Sequence, residues 1–208
     1  MVNDGLGLQE IERKLRAVRG YAIPDNPGKQ AKLDIAWRAH ICTWAANQAI
    51  ALEGDFIECG VWYGILSRTI CNYVDFSRHD GTFYLVDTWG KMPGSHASSN
   101  YQDDIFSVVQ KRFSDVDNVQ LIRGPVPDVL TQITSSKVAF LAIDMNGSVP
   151  ERAALEYFYD KIVPGGVIYF DDYGWDFPEL RATIEDFFMD KPETLLHFPS
   201  GNSIVVKL

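Results

Sequence analysis

Five short apolar runs, "DFIEC" at 55–59, "GTFYLVD" at 81–87, "VQLIRG" at 119–124, "VAFLAID" at 138–144 and "GGVIYFDD" at 165–172, alternate with segments of helical spacing. Runs this short and this continuously apolar suit strands covered on both faces, and strand–helix alternation requires parallel strands with helical crossovers. Helices are expected over "ILSRTICNYV" (65–74), "YQDDIFSVVQKRF" (101–113), "VPDVLTQI" (126–133) and "PERAALEYFYDKI" (150–162), the last with Ser148 and Glu151 at capping-box spacing. The end of the chain breaks the alternation. After a helix over "PELRATIEDFFMD" come "ETLLHFP" and "SIVVKL", joined by "SGN". That turn is too short for a parallel crossover, so the two strands form a hairpin and one of them runs antiparallel to the rest. The expected fold is α/β: a doubly wound, mostly parallel seven-stranded sheet with an antiparallel last strand.

Ahead of the sheet, "LQEIERKLRAVRG" and "KQAKLDIAWRAHICTWAANQAIALEG" have helical spacing on either side of the loop "IPDNPG". Residues 1–54 are therefore expected as an N-terminal helical extension or lid packed on the core, and 55–208 as the sheet domain, in a single domain overall. A length of 208 residues, 46% of them hydrophobic, supports one substantial core.

Charge narrows the partners. Nineteen Lys and Arg against 28 Asp and Glu give a net charge of −9 with no basic run to offset it, which disfavours nucleic acid and anionic lipid. No apolar stretch approaches the roughly 20 residues that span a bilayer, and the first twenty lack the basic-then-apolar order of a signal peptide. Cys42, Cys59 and Cys71 are odd in number and form no C-x-x-C pair, so buried free thiols are expected. A cytoplasmic protein fits these features; a homo-oligomer is compatible with them.

In open α/β sheets ligands bind beyond the carboxyl ends of the strands. Glu58, Gly60 and Gly64 lie at the first such end, in an E-x-G-x-x-x-G pattern where Trp62 stands at the place of a middle glycine. That weakens a pyrophosphate cradle and leaves a ligand lacking pyrophosphate; a tight strand-to-helix turn is the plainer alternative. Asp87 ends the second run, where a carboxylate can accept both hydroxyls of a ribose. Together with Glu58, placed to meet a cationic amino-acid portion, it suggests a nucleoside-containing ligand. Asp144 closes the fourth run and Asp171 with Asp172 the fifth. Carboxylates gathered this closely suit a hard divalent cation such as Mg²⁺, the alternative being an acidic rim open to solvent.

The blocks "GDFIECGVWYGILSRTI", "FYLVDTWGKMP", "AIDMNG", "IVPGGVIYFDDYG" and "LRATIEDFF" resemble, in order, those of the macrocin O-methyltransferase family, over roughly residues 50–208. The resemblance implies a Rossmann-like class I methyltransferase that uses S-adenosylmethionine and Mg²⁺ to methylate a hydroxyl of a sugar or sugar-containing natural product. It would place Glu58, Gly60, Gly64, Asp87, Thr88 and Gly124 around S-adenosylmethionine, and Asp144, Asp171 and Asp172 around Mg²⁺, with Asp144 also the general base. The acceptor would be a small molecule with a hydroxyl, a vicinal diol satisfying the same metal chemistry. Family members often carry an acidic residue two places after the strand-four aspartate and an aromatic soon after; here Asn146 and Ser148 stand there.

Two other functions are open to such a chain. "YFYDK" supplies the Tyr157…Lys161 spacing of NAD(P)-dependent short-chain oxidoreductases, but without their N-terminal glycine motif or upstream serine. A non-catalytic nucleoside-binding or scaffold protein could keep the same fold. His96, Tyr101 and Asp103 sit in a polar segment placed to cover the site. Trp37, Arg38, His40 and Trp44 are expected as a partly buried packing face rather than a lid.

Overall fold

The computed structural model describes residues 35–90, 105–174 and 178–208. The expected helix over 8–20 and the covering segment with His96, Tyr101 and Asp103 lie outside them.

Helix α1 (Ile35–Ala49) leads into β1 (Asp55–Cys59), α2 (Ile65–Val74), β2 (Phe83–Asp87), α3 (Ile105–Arg112) and β3 (Val119–Arg123). There follow β4 (Val138–Ile143), α4 (Ser148–Phe158), β5 (Ile162–Phe170), α5 (Pro178–Phe188), β6 (Leu196–His197) and β7 (Ser203–Val206). The seven strands form one sheet in the order β3-β2-β1-β4-β5-β7-β6. The first five pair in parallel, and β7 is antiparallel to both β5 and β6, as the short "SGN" turn requires.

Period-two alternation along each strand divides the core between two faces. Phe56, Phe83, Phe140 and Tyr169 point to the face covered by α1 and α2, while Ile57, Leu141, Ile168 and Val205 meet Leu155 and Phe158 of α4 and Ile184 and Phe187 of α5. Each such side chain contributes about 1.5–3 kcal/mol by leaving water. Helix α1 belongs to this core: Ala39, Cys42, Ala45, Ala46 and Ala49 are buried beneath it, and their small size lets the helix lie close to the sheet. All three cysteines are buried and free. Among the described residues no helix is long and apolar enough to cross a membrane.

Four local expectations need correction. "VPDVLTQI" forms turns and a single 3₁₀ turn, Leu130–Gln132, because Pro125 and Pro127 remove donors and bias the residue before each away from helix. Helix α1 stops at Ala49, where the Leu52 N–H donates to the Ala49 carbonyl and turns the chain towards β1, rather than continuing to Gly54. The Ser148/Glu151 capping box does not form: α4 has no side-chain cap, and the Glu151 carboxylate instead accepts from Met145 N at 3.2 Å. The strand expected over 193–199 shrinks to two residues, because Glu193 leaves the sheet to bind Tyr159 and Lys207.

Candidate active site

Strand register builds the site. Cys59 pairs with Val86 and with Ile143, and Ile143 with Phe170, so these four residues form one row across the sheet. One residue further along each strand come Gly60, Asp87, Asp144 and Asp171. Acidic residues scattered through the sequence are thus brought to adjacent strand ends by the parallel pairing itself.

Glu58 points to the α1/α2 face and is 3% exposed. The Ser67 hydroxyl of α2 donates to its Oε2. Burial drives the Glu58 carboxyl up to about 8; Ser67 opposes the shift, and Asp144 and Asp87 add to it. A carboxyl held this way is a receptor for a cation: an arriving ammonium or sulfonium would restore its charge.

The loop after β1 is shaped by close packing. Gly60 has φ 92°, and a Cβ there would lie 1.8 Å from the Asp144 carbonyl oxygen. Gly64, the N-cap of α2, has φ 70°, and its Cβ would press on Phe113 at 2.7 Å. Both glycines are therefore required by the protein's own contacts before any ligand is considered. Asp87 braces the same loop. Its Oδ2 accepts from Val61 N and Trp62 N, each at 2.8 Å, and its Oδ1 from Trp89 N at 2.7 Å. Thr88 Oγ1 also lies 3.4 Å from Oδ1, so both carboxylate oxygens of Asp87 take part in holding the ends of β1 and β2. Thr88 Oγ1 lies 3.2 Å from the Gly90 carbonyl, and Gly124 N donates to the Asp87 carbonyl at 2.9 Å. These two residues thus adjoin Asp87 at the ends of β2 and β3.

Asp144, Asp171 and Asp172 offer carboxylate oxygens that all lie within 4.8 Å of one another. Parity separates the last two. Asp171 shares the face of Tyr169 and turns towards α1, whereas Asp172 follows Phe170 towards α4. Asp171 is fully buried and Asp172 7% exposed; the Asp144 side chain is the open member at 23%. Burial, then Asp172, raises the Asp144 carboxyl far above the usual carboxylate range while Arg38 pulls it down, and Asp172 is raised by burial against the same arginine. Such a pair favours either a shared proton or a bound cation. Asp172 Oδ2 is buried without a hydrogen-bond partner, an observation that fits an oxygen-ligated divalent cation. Asn146 Nδ2 lies 3.4 Å from Asp144 Oδ1, so the residue that departs from the family pattern faces the proposed base as a donor.

Several participants escaped sequence reasoning. Arg38, expected only as packing, sends its guanidinium from α1 onto Asp171, with Nε 2.9 Å from Oδ1, and reaches within 3.6 Å of Asp144. Its one signal was its isolation: it is the only Lys, Arg, Asp or Glu in α1. Tyr169 OH and Asn202 Nδ2 also donate to Asp171 Oδ1, at 2.7 and 2.8 Å. Glu151 lies buried behind Asp172, its pKa raised by burial and by that neighbour. Tyr157 and Lys161 are elsewhere. Lys161 Nζ sits 3.5 Å from the centre of the Tyr157 ring in the connection leading into β5, at the opposite edge of the sheet from the strand ends that carry the carboxylates.

The family model described as macrocin-O-methyltransferase (TylF) matches residues 40–193, a span that includes every carboxylate of this row. The chain belongs to this O-methyltransferase family. Curated proteins give no match to the sequence. Among solved structures, the methyltransferase is similar to the O-methyltransferase NovP, at TM-score 0.70 and 19% identity over 83% of this chain and 80% of that one. It is also similar to apo CalS11, a TDP-rhamnose 3'-O-methyltransferase of calicheamicin biosynthesis, at TM-score 0.64 and 16% identity over 95% and 91%. The S-adenosylhomocysteine-bound methyltransferase PaMTH1 of Podospora anserina matches at TM-score 0.63 and 13% identity over 96% and 87%. At these identities the likeness is one of fold, and the fold is that of a class I methyltransferase.

Proposed function

We propose that this methyltransferase moves a methyl group from S-adenosylmethionine to a hydroxyl of a sugar or sugar-containing natural product, with Mg²⁺ at the Asp144, Asp171 and Asp172 cluster. The observation that carries the reading is the pairing of two cation-seeking places along one row of strand ends: buried Glu58, and the carboxylate cluster with its unpartnered Asp172 Oδ2. The first suits the amino-acid end of a sulfonium cofactor and the second a divalent cation. Support for the cofactor comes from similar folds solved with S-adenosylhomocysteine, and for a sugar acceptor from CalS11, named for TDP-rhamnose.

S-adenosylmethionine would supply an electrophilic methyl group for in-line displacement, and the cation would lower the pKa of the acceptor hydroxyl and fix its direction. The residues of this chain do the rest. Glu58 takes the cationic end of the donor, and Asp87 holds the 60–62 loop and receives the ribose hydroxyls. Asp144, the most open of the three aspartates, takes the acceptor's proton at a carboxylate oxygen.

The test is incubation with S-adenosylmethionine and a panel of nucleotide sugars and glycosides, read by mass spectrometry for a gained methyl group. Product that stops in EDTA and returns with Mg²⁺ is expected. Product undiminished in EDTA removes the metal, and cofactor binding without product on any diol acceptor returns the chain to a binding role.

A further inference from the structure

We propose that Ser67 is a positioning residue of the cofactor site: its hydroxyl fixes the Glu58 carboxylate in one orientation for the ammonium of the donor's amino-acid portion, which makes the site selective for adenosine thioethers that carry that portion. The inference rests on the S-adenosylmethionine reading above and names the residue through which Glu58 serves it.

Ser67 breaks the pattern of its own helix. It is the third residue of α2, on the buried face that continues with Ile70 and Cys71, and it has no exposure. A hydroxyl so placed costs stability unless it is hydrogen-bonded. Inside a helix the usual outlet is a carbonyl one turn back. Thr69 of α2 takes that outlet at Ile65, and Thr43 of α1 takes it at Ala39. Ser67 reaches across to the sheet instead. Its hydroxyl donates to Oε2 of Glu58, nine residues back on β1, and among the described residues it is the donor that meets this carboxylate.

That bond does two things for a cationic ligand. A glutamate carboxylate turns on several rotatable bonds, and a donor held rigidly on a helix sets its plane. The donor also acts on charge. Burial, Asp144 from β4 and Asp87 from β2 all push Glu58 towards its neutral form, and Ser67 opposes them. Cys42 of α1, Cys59 beside Glu58 and Cys71 of α2 act on the same region as thiols whose pKa burial raises, so they add no charge at neutral pH. Ser67 thus leaves Glu58 aimed and more readily ionised, and an ammonium needs both in its partner. A ligand without an ammonium gains from neither.

The experiment is calorimetric titration of the full chain with S-adenosylhomocysteine and, in parallel, with methylthioadenosine, which keeps the adenosine thioether and lacks the amino-acid portion. Ser67→Ala is expected to weaken S-adenosylhomocysteine about tenfold and to leave methylthioadenosine within about twofold of the parent. Ser67→Cys, which keeps the volume and a weaker donor, is expected to lose less and serves if the alanine variant does not fold. Glu58→Gln closes a double-mutant cycle: once Glu58 is neutralised, adding Ser67→Ala should cost less than about threefold more. Equal losses for the two ligands would make Ser67 a packing residue of the loop. Independent, multiplying losses in the cycle would mean that it does not act through Glu58, and unchanged S-adenosylhomocysteine affinity in both Ser67 variants would mean that it does not act at all; each overturns the proposal. Failure of the cofactor reading shows elsewhere, in a parent that does not bind S-adenosylhomocysteine or a Glu58→Gln variant that binds it as well as the parent.

Discussion

Gly60 and Asp144 touch backbone to backbone across the ends of β1 and β4, so closely that a Cβ on the glycine would lie 1.8 Å from the aspartate's carbonyl oxygen. The contact joins the loop proposed to meet the cofactor to the proposed base.

Gly60→Ala adds both that collision and a left-handed strain at φ 92°. It is expected to cost about 2–4 kcal/mol in urea denaturation and to abolish S-adenosylhomocysteine binding. Gly165→Ala is the control: its φ is 85°, but the nearest atoms to its Cβ are Leu52 methyls at 3.6 Å, so only the backbone cost of about 1–2 kcal/mol applies. Equal losses in the two variants would mean that the Gly60–Asp144 contact adds nothing.

Glu58 gives stability a pH dependence with a definite sign. Its folded pKa, about 8, lies above the ordinary carboxylate value, so its contribution is complete below about pH 4.5 and is lost as pH rises towards 8, on the order of 1 kcal/mol per pH unit. Glu58→Gln removes that slope and should raise the melting temperature of the ligand-free protein at pH 8. Binding runs the other way: a cationic ligand favours ionised Glu58, so S-adenosylhomocysteine affinity should rise with pH up to about 8 in the parent and stay flat in the variant. Parallel pH profiles for the two proteins would exclude Glu58 from both effects.

Asp87→Ala strips three backbone N–H groups of their acceptor. A loss of about 2–4 kcal/mol is expected, together with a change in fluorescence from Trp62 and Trp89, which carry two of the three N–H groups. If Asp87 acted only as a ribose ligand, cofactor affinity would fall while stability and tryptophan emission stayed put.

Asp144→Asn keeps an oxygen at the cation site and removes the proton acceptor. Turnover should fall by about 100-fold or more while Mn²⁺ remains detectable by its paramagnetic signal. Activity within a factor of a few of the parent would move the base elsewhere.

The sheet was legible because its strands are short, apolar and punctuated, and because a three-residue turn can make only a hairpin. The carboxylates were legible for a related reason: parallel register sends the last residue of each strand to one edge, so Asp87, Asp144 and Asp171 could be gathered from their positions alone. What holds them was not. Arg38 lies 133 residues from Asp171 and Asn202 lies 31 away. No local pattern encodes which distant donor fills a buried carboxylate. Ser148 and Glu151 show the reverse error, in which the expected capping pattern lost to another local bond when Glu151 reached back past the N-cap to Met145.

Asn202 sits just ahead of β7, the strand that docks on β5, and through it the hairpin donates to both the backbone oxygen and the side chain of Asp171. During synthesis β1 to β5 emerge first, and helix α5 and β6 must follow before Asn202 leaves the ribosome. A nascent chain can therefore assemble most of its sheet while Asp171 has Tyr169 and Arg38 but still lacks Asn202. The candidate site is finished by the hairpin, so a ribosome stalled before residue 202 would hold a nearly complete sheet whose carboxylate cluster had not yet gained its last partner.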